Sequence, residues 1–234
     1  MSFFAPGAPS VQQRPVTFLS EDNVHLRGIY WEPRDDRAIS LLLVHDEDSD
    51  RSAWHPYVAL FRTRGWSVLT FDLRGHGESV RQDMRADLLK AHPDDLRSPF
   101  NYPQDVKAAV AFMARQPKAD PAKIAILGVG LGADLAYAAS GRGWGSSSTV
   151  CIGLDEPRAR ELAGPGAFAP RSIYLLYGSM DPVSATSAVA FSSSAAYPAE
   201  TKSYEGTNKK GLPLFAEQQP EILARSIAWI ERTI

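Results

Sequence analysis

The sequence predicts an α/β domain built on a mostly parallel central sheet with helices on both faces. Two segments of strand character, residues 16–20 and 24–31, open the chain and are separated by a polar turn. From the apolar run at residues 39–45 onward, buried strands alternate with helical segments, which is typical of parallel strands joined by crossover helices. No internal repeat or low-complexity block interrupts the 234 residues. We expect one domain over residues 1–234, in which residues 1–14 form a loosely ordered leader.

The remaining elements follow from the spacing of apolar residues. Short apolar runs predict strands at residues 67–71, 123–127, 149–154, 172–177 and 201–204. Apolar residues three and four positions apart predict helices at residues 52–64, 104–115, 131–140, 183–196 and 217–231. Residues 81–103 are charged, contain prolines and have no regular period. This stretch therefore predicts a loop with room for one short helix.

Composition narrows the classes of partner and compartment. The formal net charge is -2 and the basic residues are scattered, so the chain has no electrostatic footprint for nucleic acid or for an anionic membrane. No apolar run approaches the ~18 residues that a membrane span needs. The first residues lack the basic and apolar regions of a secretory signal, and Cys151 is the only cysteine. We expect a cytoplasmic protein.

Four segments at the ends of predicted strands carry the functional information. They are, in chain order, FDLRGHGES at 71–79, GVGLGA at 128–133, GSMDP at 178–182 and YEGTNKKG at 204–211. They resemble, in the same order, four segments of the α/β-hydrolase superfamily. These are the D-x-R-G-H-G-x-S loop, the G-x-S-x-G nucleophile elbow, the G-x-x-D-P turn of the triad acid and the late loop of the triad histidine. The resemblance covers nearly the whole chain and implies the α/β-hydrolase fold. Only residues 155–171 are available where many relatives insert a lid, so we expect no sizeable lid.

The resemblance also shows where the catalytic triad departs from the family pattern. The nucleophile position aligns with Gly130 and the histidine position with Lys210, or with Lys209 if the late loop is one residue shorter. Only Asp181 remains at the position of the acid. All five histidines precede the elbow. Because acyl transfer needs a nucleophilic oxygen and a base within hydrogen-bond reach, the sequence predicts a degenerate triad with no catalytic residue.

The positions that would bind the oxyanion are Leu131 and the loop that begins at Asp46. This loop carries four carboxylates, Asp46, Glu47, Asp48 and Asp50, which would disfavour a developing negative charge. Loss of such a nucleophile costs about a millionfold in rate. Glycine suits the elbow, because a residue with a side chain pays about 1–3 kcal/mol for its positive φ.

Two alternatives come from different functional classes. The pattern Gly128-x-Gly130-x-x-Ala133 after a strand also fits a dinucleotide-binding turn, with Asp155 at the end of the next strand. The second alternative is a weak or atypical esterase whose catalytic residues have moved to other positions. Its candidate nucleophiles are Ser140 and the serines at residues 146–148. The acidic loop alternates carboxylates as a calcium loop does, but Arg51 stands at the required glycine, so we expect no metal.

The leading hypothesis is a pseudo-hydrolase without cofactor or metal. It would bind a small molecule or a protein partner at the carboxyl ends of the parallel strands, where α/β folds place their ligands. An active homologue is one candidate partner.

Overall fold

The computed structural model describes residues 13–84, 87–90, 96–194 and 196–234, and its centre is an eight-stranded sheet in the order β1-β2-β4-β3-β7-β8-β9-β10. Its strands are β1 (Gln13–Leu19), β2 (His25–Trp31), β3 (Ala38–Val44), β4 (Ser67–Phe71), β7 (Ala119–Val129), β8 (Ser148–Ile152), β9 (Arg171–Gly178) and β10 (Ala196–Tyr204). β1 and β2 are antiparallel and the other neighbours pair in parallel, except that β2 is antiparallel to β4. The predicted fold class is confirmed.

Seven α-helices cover this sheet in the part of the chain that the structure describes. They are α1 (His55–Arg62), α2 (Tyr102–Ala114), α3 (Leu131–Arg142), α4 (Glu156–Ala163), α5 (Pro182–Ser194), α6 (Gly211–Glu217) and α7 (Gln219–Thr233). The apolar residues of α2 to α5 belong to the core on one face of the sheet, and those of α1, α6 and α7 belong to the core on the other. The two-sided burial explains why β4 and β8 are apolar or small along their whole length.

One prediction was wrong. Residues 81–90, expected as loop, contain a hairpin of β5 (Arg81–Met84) and β6 (Asp87–Lys90). Its sequence is polar and has no apolar alternation, so periodicity gave no signal. Contacts outside the hairpin support it: Gln82 bridges to Val24 in the backbone and its side chain donates to the carbonyl of Asp22 at 2.9 Å. Most of the leader, residues 1–12, lies outside the described residues.

Two helices were not anticipated, and both border the carboxyl edge of the sheet. α4 has few apolar residues, and α6 is only seven residues long. Asp155 precedes α4 as its N-cap, and its side chain accepts the N–H of Arg158. Within the described ranges, no helix is long and apolar enough to cross a bilayer.

Candidate functional site

The turn from β7 into α3 has the backbone of a nucleophile elbow without a side chain at its apex. Gly130 has φ 54° and ψ -120°, between the end of β7 and the first residue of α3. A residue with a side chain would pay about 1–3 kcal/mol for such a conformation, whereas glycine adopts it freely. Gly128 is also required, because a Cβ there would overlap the backbone of Gly132. The expectation of a positive φ at Gly130 is confirmed.

The carboxylate of Asp46 occupies the space above Gly130. A Cβ built on Gly130 would overlap Cγ and both oxygens of Asp46. Asp46 Oδ1 accepts the backbone N–H of Leu131 at 2.9 Å and that of Glu47 at 2.8 Å. In an acyl-transfer enzyme of this geometry, the N–H after the elbow and one from the loop after the third strand hold the oxyanion. Here both donors hold a side-chain carboxylate, at the helix N-terminus where negative charge is favoured.

The other acidic side chains of this loop point to different partners. Asp50 caps the short helical turn that follows and accepts the N–H of Ser52 at 2.7 Å. Glu47 is exposed and lies 3.4 Å from Arg158. The sequence predicts acidic residues around the oxyanion position. Of Asp46, Glu47 and Asp50, only Asp46 has its carboxylate at that position in the structure.

Two buried histidines fix the backbone around Asp46. His45 Nε2 accepts the N–H of Leu73 at 3.0 Å, so its Nδ1 carries the hydrogen that it donates to the carbonyl of Asp46 at 2.6 Å. Burial lowers the pKa of His45 to about 4, so the ring is neutral at pH 7. His76 Nε2 lies 2.6 Å from the carbonyl of Glu47, and the two imidazole rings are 5.1 Å apart. These contacts give both histidines a structural role.

The 71–79 segment acts as the frame of the site. Buried Asp72 accepts the N–H groups of Arg51 and Glu78, each at 2.9 Å, and pairs with the Arg51 guanidinium. Arg74 is 1% exposed and forms ion pairs with Asp105 at 2.7 Å and Asp22 at 2.6 Å. Burial raises the pKa of Asp105 to about 6, against the opposing effect of Arg74. These contacts tie the loop to α2 and to the β1–β2 turn.

Asp181 lies where the resemblance placed it, in the turn after β9. Its N–H donates to Gly178 O at 3.0 Å, and its Oδ1 accepts the N–H of Val183 at 3.2 Å. The residue is 6% exposed, yet Oδ2 has no hydrogen-bond partner among the described residues. In a triad the carboxylate would accept the N–H of the catalytic imidazole. Asp181 is thus a buried acid in the turn after β9, and one of its oxygens accepts no hydrogen bond from the described residues.

The late loop reaches the elbow through Lys210 and Gly211. A Cβ on Gly211 would lie 2.9 Å from Asp46 Oδ2 and 3.2 Å from the backbone nitrogen of Gly130. The Lys210 side chain packs on Gly153, whose Cβ would lie 2.6 Å from Lys210 Cγ. Lys209 instead pairs with Glu217 on the surface, at 2.9 Å. Lys210 is thus the lysine of this pair that lies next to the residues of the elbow.

A second buried carboxyl group lies one turn into α3. Asp134 is fully buried, accepts the N–H of Asp155 at 2.7 Å and pairs with Arg158 Nε at 2.5 Å. Burial raises the pKa of Asp134 to about 7, while Arg158, the Asp155 N–H and Lys210 act to lower it. The sequence offers one indication of Asp134, because this acidic residue falls in the first turn of the helix that follows the elbow. Its pairing with Arg158 depends on α4, which was not predicted.

The serines offered as alternative nucleophiles take part in structural hydrogen bonds. Ser140 exchanges hydrogen bonds with the backbone of Arg171 at 2.8 and 3.1 Å. Ser147 donates to the carbonyl of Ala122 at 2.6 Å. Cys151 is buried next to the carbonyl of Ala133, and burial raises the pKa of its thiol well above the usual value.

The glycine turn offers a dinucleotide few free donors. Pyrophosphate binding at such a turn uses the N–H groups at the helix N-terminus. The N–H of Gly130 donates to Ile152 O at 3.0 Å, and the N–H of Leu131 is bonded to Asp46. Asp155 serves as the cap of α4. The carboxylate of Asp46 already holds the position that a phosphate would take.

Comparison with known proteins places the chain in a family. The sequence profile described as Alpha/beta hydrolase family matches residues 41–229. The uncharacterized protein YfhR of Salmonella typhimurium is 26% identical over 178 residues, which are 74% of this chain and 53% of that protein. The chain thus spans about half the length of the curated relatives it matches.

Solved structures agree at the level of the fold. The Pyrococcus furiosus esterase Pf2001 superposes with a TM-score of 0.70 at 17% identity, over 100% of this chain and 95% of that one. The dienelactone hydrolase of Anabaena variabilis gives a TM-score of 0.72 at 15% identity, over 96% and 99%. The profile match covers most of the chain, and the sheet order and elbow agree with it. This chain belongs to the α/β-hydrolase family.

Proposed function

We propose that this chain is a non-catalytic member of its family, a pseudo-hydrolase that binds a small molecule or a protein partner at the carboxyl edge of its sheet. One observation carries the proposal: the Asp46 carboxylate accepts both oxyanion-hole donors and fills the space of the missing nucleophile. A negative oxygen developing on a substrate would have to displace this carboxylate or lie against it, and like charges in contact are strongly unfavourable.

The contacts of the described histidines at this edge support the same proposal. Of the histidines at this edge, His45 and His76 are both hydrogen-bonded to backbone groups. His92 lies outside the described residues. Binding and backbone contacts alone give about 10³-fold acceleration over water, far below the rates of typical hydrolases.

A shallow apolar cleft at this edge gives the binding proposal a location. It lies between the starts of α4 and α5, has a volume of about 290 Å³ and is lined by Asp155, Pro157, Pro182, Val183, Thr186 and Ser187. Val183 is 43% exposed and the neighbouring Met180 is 62% exposed. Exposed apolar side chains grouped beside a cleft are typical of interaction surfaces. One candidate partner is an active homologue.

An esterase with relocated catalytic residues is the second candidate. The similar solved structures include an esterase and a dienelactone hydrolase, which favours this candidate. A panel of p-nitrophenyl esters from acetate to octanoate, with protein at high concentration, separates the two. We expect no turnover above that of buffer. Turnover that disappears when one serine is replaced by alanine would overturn the pseudo-hydrolase proposal, and a thermal shift with NAD would support dinucleotide binding instead.

The binding half of the proposal is tested separately. Partners or ligands captured by the wild-type protein should be lost with Val183→Asp, which places a charge in the cleft. Val189→Asp is the matched control, because Val189 is on the same helix and 74% exposed but outside the cleft. Equal capture by both variants would exclude this cleft as the binding site.

A further inference from the structure

A second cleft, separate from the elbow, combines an apolar floor with cationic side chains that form no ion pair within the described part of the chain. It lies between α1 and the end of β2, and its volume is about 560 Å³, within the range of about 300–1,000 Å³ that is usual for small-molecule sites. Ile29, Trp31, Val58 and Ala59 form its apolar part, and Arg34, His55 and Arg62 supply nitrogen donors. No acidic residue is among its lining residues in the described part of the chain.

Arg62 is the unusual member of this set. It is 8% exposed, and its Nη1 donates to the carbonyls of Glu32 and Trp66. Its buried Nε has no hydrogen-bond partner, and the guanidinium has no ion pair within the described residues. Burial lowers the pKa of Arg62, and the nearby charge of Arg34 lowers it further. A buried cation without a carboxylate is unfavourable and is normally compensated by an anion.

Glu32, whose negative charge acts on Arg62, forms no ion pair with it. Glu32 points to Arg14, with 3.8 Å between the charged atoms. Gln13 forms part of the cleft wall, and its Oε1 accepts the indole N–H of Trp31 at 2.9 Å. His55 lies edge-on to Trp31, with 6.4 Å between ring centres. The walls are therefore fixed by internal contacts, while neither Arg62 nor Arg34 forms an ion pair with any residue that the structure describes.

We infer that this cleft binds an amphiphilic carboxylate, whose anionic head pairs with Arg62 and Arg34 and whose apolar body lies on Trp31 and Val58. A guanidinium binds a carboxylate through parallel N–H donors, which explains the preference for this head group. The apolar floor explains the preference for an alkyl or aryl body. The inference does not depend on whether the elbow is catalytic.

The test uses the full chain and a homologous series of hexanoate, octanoate and decanoate, each below its micellar concentration, in isothermal titration. We expect Kd to fall about fourfold for each added CH₂ and 1-octanol to bind at least tenfold more weakly than octanoate. The Trp31 indole N–H resonance, identified with Trp31→Phe, should shift on addition of octanoate. Equal binding of octanoate and octanol would overturn the inference, as would an unmoved Trp31 resonance or the absence of binding.

Variants locate the site and separate it from other surfaces. Ala59→Trp fills the cleft from an exposed position on α1 and should weaken octanoate binding at least tenfold, and Arg34→Gln should weaken it severalfold. Ala216→Trp, an exposed position on α6 away from the cleft, should leave Kd unchanged. If octanoate binds only after Phe3→Ala and Phe4→Ala replacements, the occupant is the chain's own first segment and the inference is wrong.

Discussion

The Asp46 carboxylate and the bare Cα of Gly130 are sterically complementary, since a side chain at residue 130 would overlap the carboxylate. The two residues lie on different loops, 84 positions apart (130 − 46). The side chain that residue 130 can carry depends on where the Asp46 carboxylate lies. A nucleophile at residue 130 requires Asp46 to leave the oxyanion hole. With glycine there, the carboxylate fills the space and satisfies both backbone donors.

This complementarity predicts energetic coupling between residues 46 and 130. Gly130→Ser should reduce the free energy of unfolding by about 2–4 kcal/mol, from backbone strain and overpacking together. In an Asp46→Gly background the overlap is gone, and the same change should cost about 1–2 kcal/mol less. Urea unfolding of the four proteins measures the coupling. Gly164→Ala is the control, because its φ is 71° with nothing within 4 Å, so it reports strain alone. Additive effects of the two changes would contradict the arrangement.

The same geometry predicts how catalysis would be restored. Asp46→Gly empties the oxyanion hole, Gly130→Ser supplies a nucleophile, and Lys210→His supplies a base on the loop that adjoins the elbow. We expect the triple variant to be labelled at the new serine by a fluorophosphonate, detected by intact mass and peptide mapping. A variant with Gly130→Ser and Lys210→His but wild-type Asp46 should label far more slowly. Equal labelling of the two would show that Asp46 does not block the site.

Asp134 predicts a pH dependence of stability. Its folded pKa is raised from 3.8 to about 7, so between these values the folded state retains a proton that the unfolded state has lost. The free energy of unfolding should therefore fall as pH rises from about 4 to 7, by up to about 1.4 kcal/mol per pH unit from this group, and level off above. Asp134→Asn should remove this contribution. Carbon-13 NMR of the carboxyl group gives the pKa directly, and Arg158→Ala should raise it further. A midpoint near 4 would contradict the assignment.

The two ion pairs of Arg74 predict that the free energy of unfolding depends on the shape of this side chain as well as on its charge. Arg74→Lys keeps the positive charge but loses the two-sided pairing with Asp105 and Asp22, and should cost about 1–3 kcal/mol because buried carboxylate oxygens lose their hydrogen-bond donors. Arg64→Lys is the matched control, because Arg64 forms an exposed pair with Glu231. It should change the free energy of unfolding by less than about 1 kcal/mol. Similar small effects for both variants, in chemical denaturation, would contradict the role of Arg74 as a frame.

Much of the fold followed from the sequence, since strands buried on both faces are apolar along their length. Residues 39–45 and 67–71 are clear cases, observed as β3 and β4. The β5–β6 hairpin was missed because its stability comes from contacts with the β1–β2 turn rather than from its own pattern. The helix α4 was missed because it is mostly polar.

For the candidate site, the sequence predicts which residues are involved but not the conformation of their side chains. Gly130, Asp181 and Lys210 were located from the order of motifs along the chain, and the structure places residues 130 and 211 side by side. The sequence also indicated that Asp46 borders the oxyanion position. It gave no signal that this side chain turns inward, because the direction depends on long-range contacts that His45 and His76 impose on the backbone.

The most direct test of the central claim is intact-mass analysis of the wild-type protein after incubation with a fluorophosphonate probe. With no hydroxyl at residue 130 and a carboxylate in the oxyanion hole, we predict that the mass stays unchanged while an active serine hydrolase in the same tube is fully labelled. A stoichiometric adduct on one residue of the wild-type chain would contradict the account and would identify where the nucleophile lies.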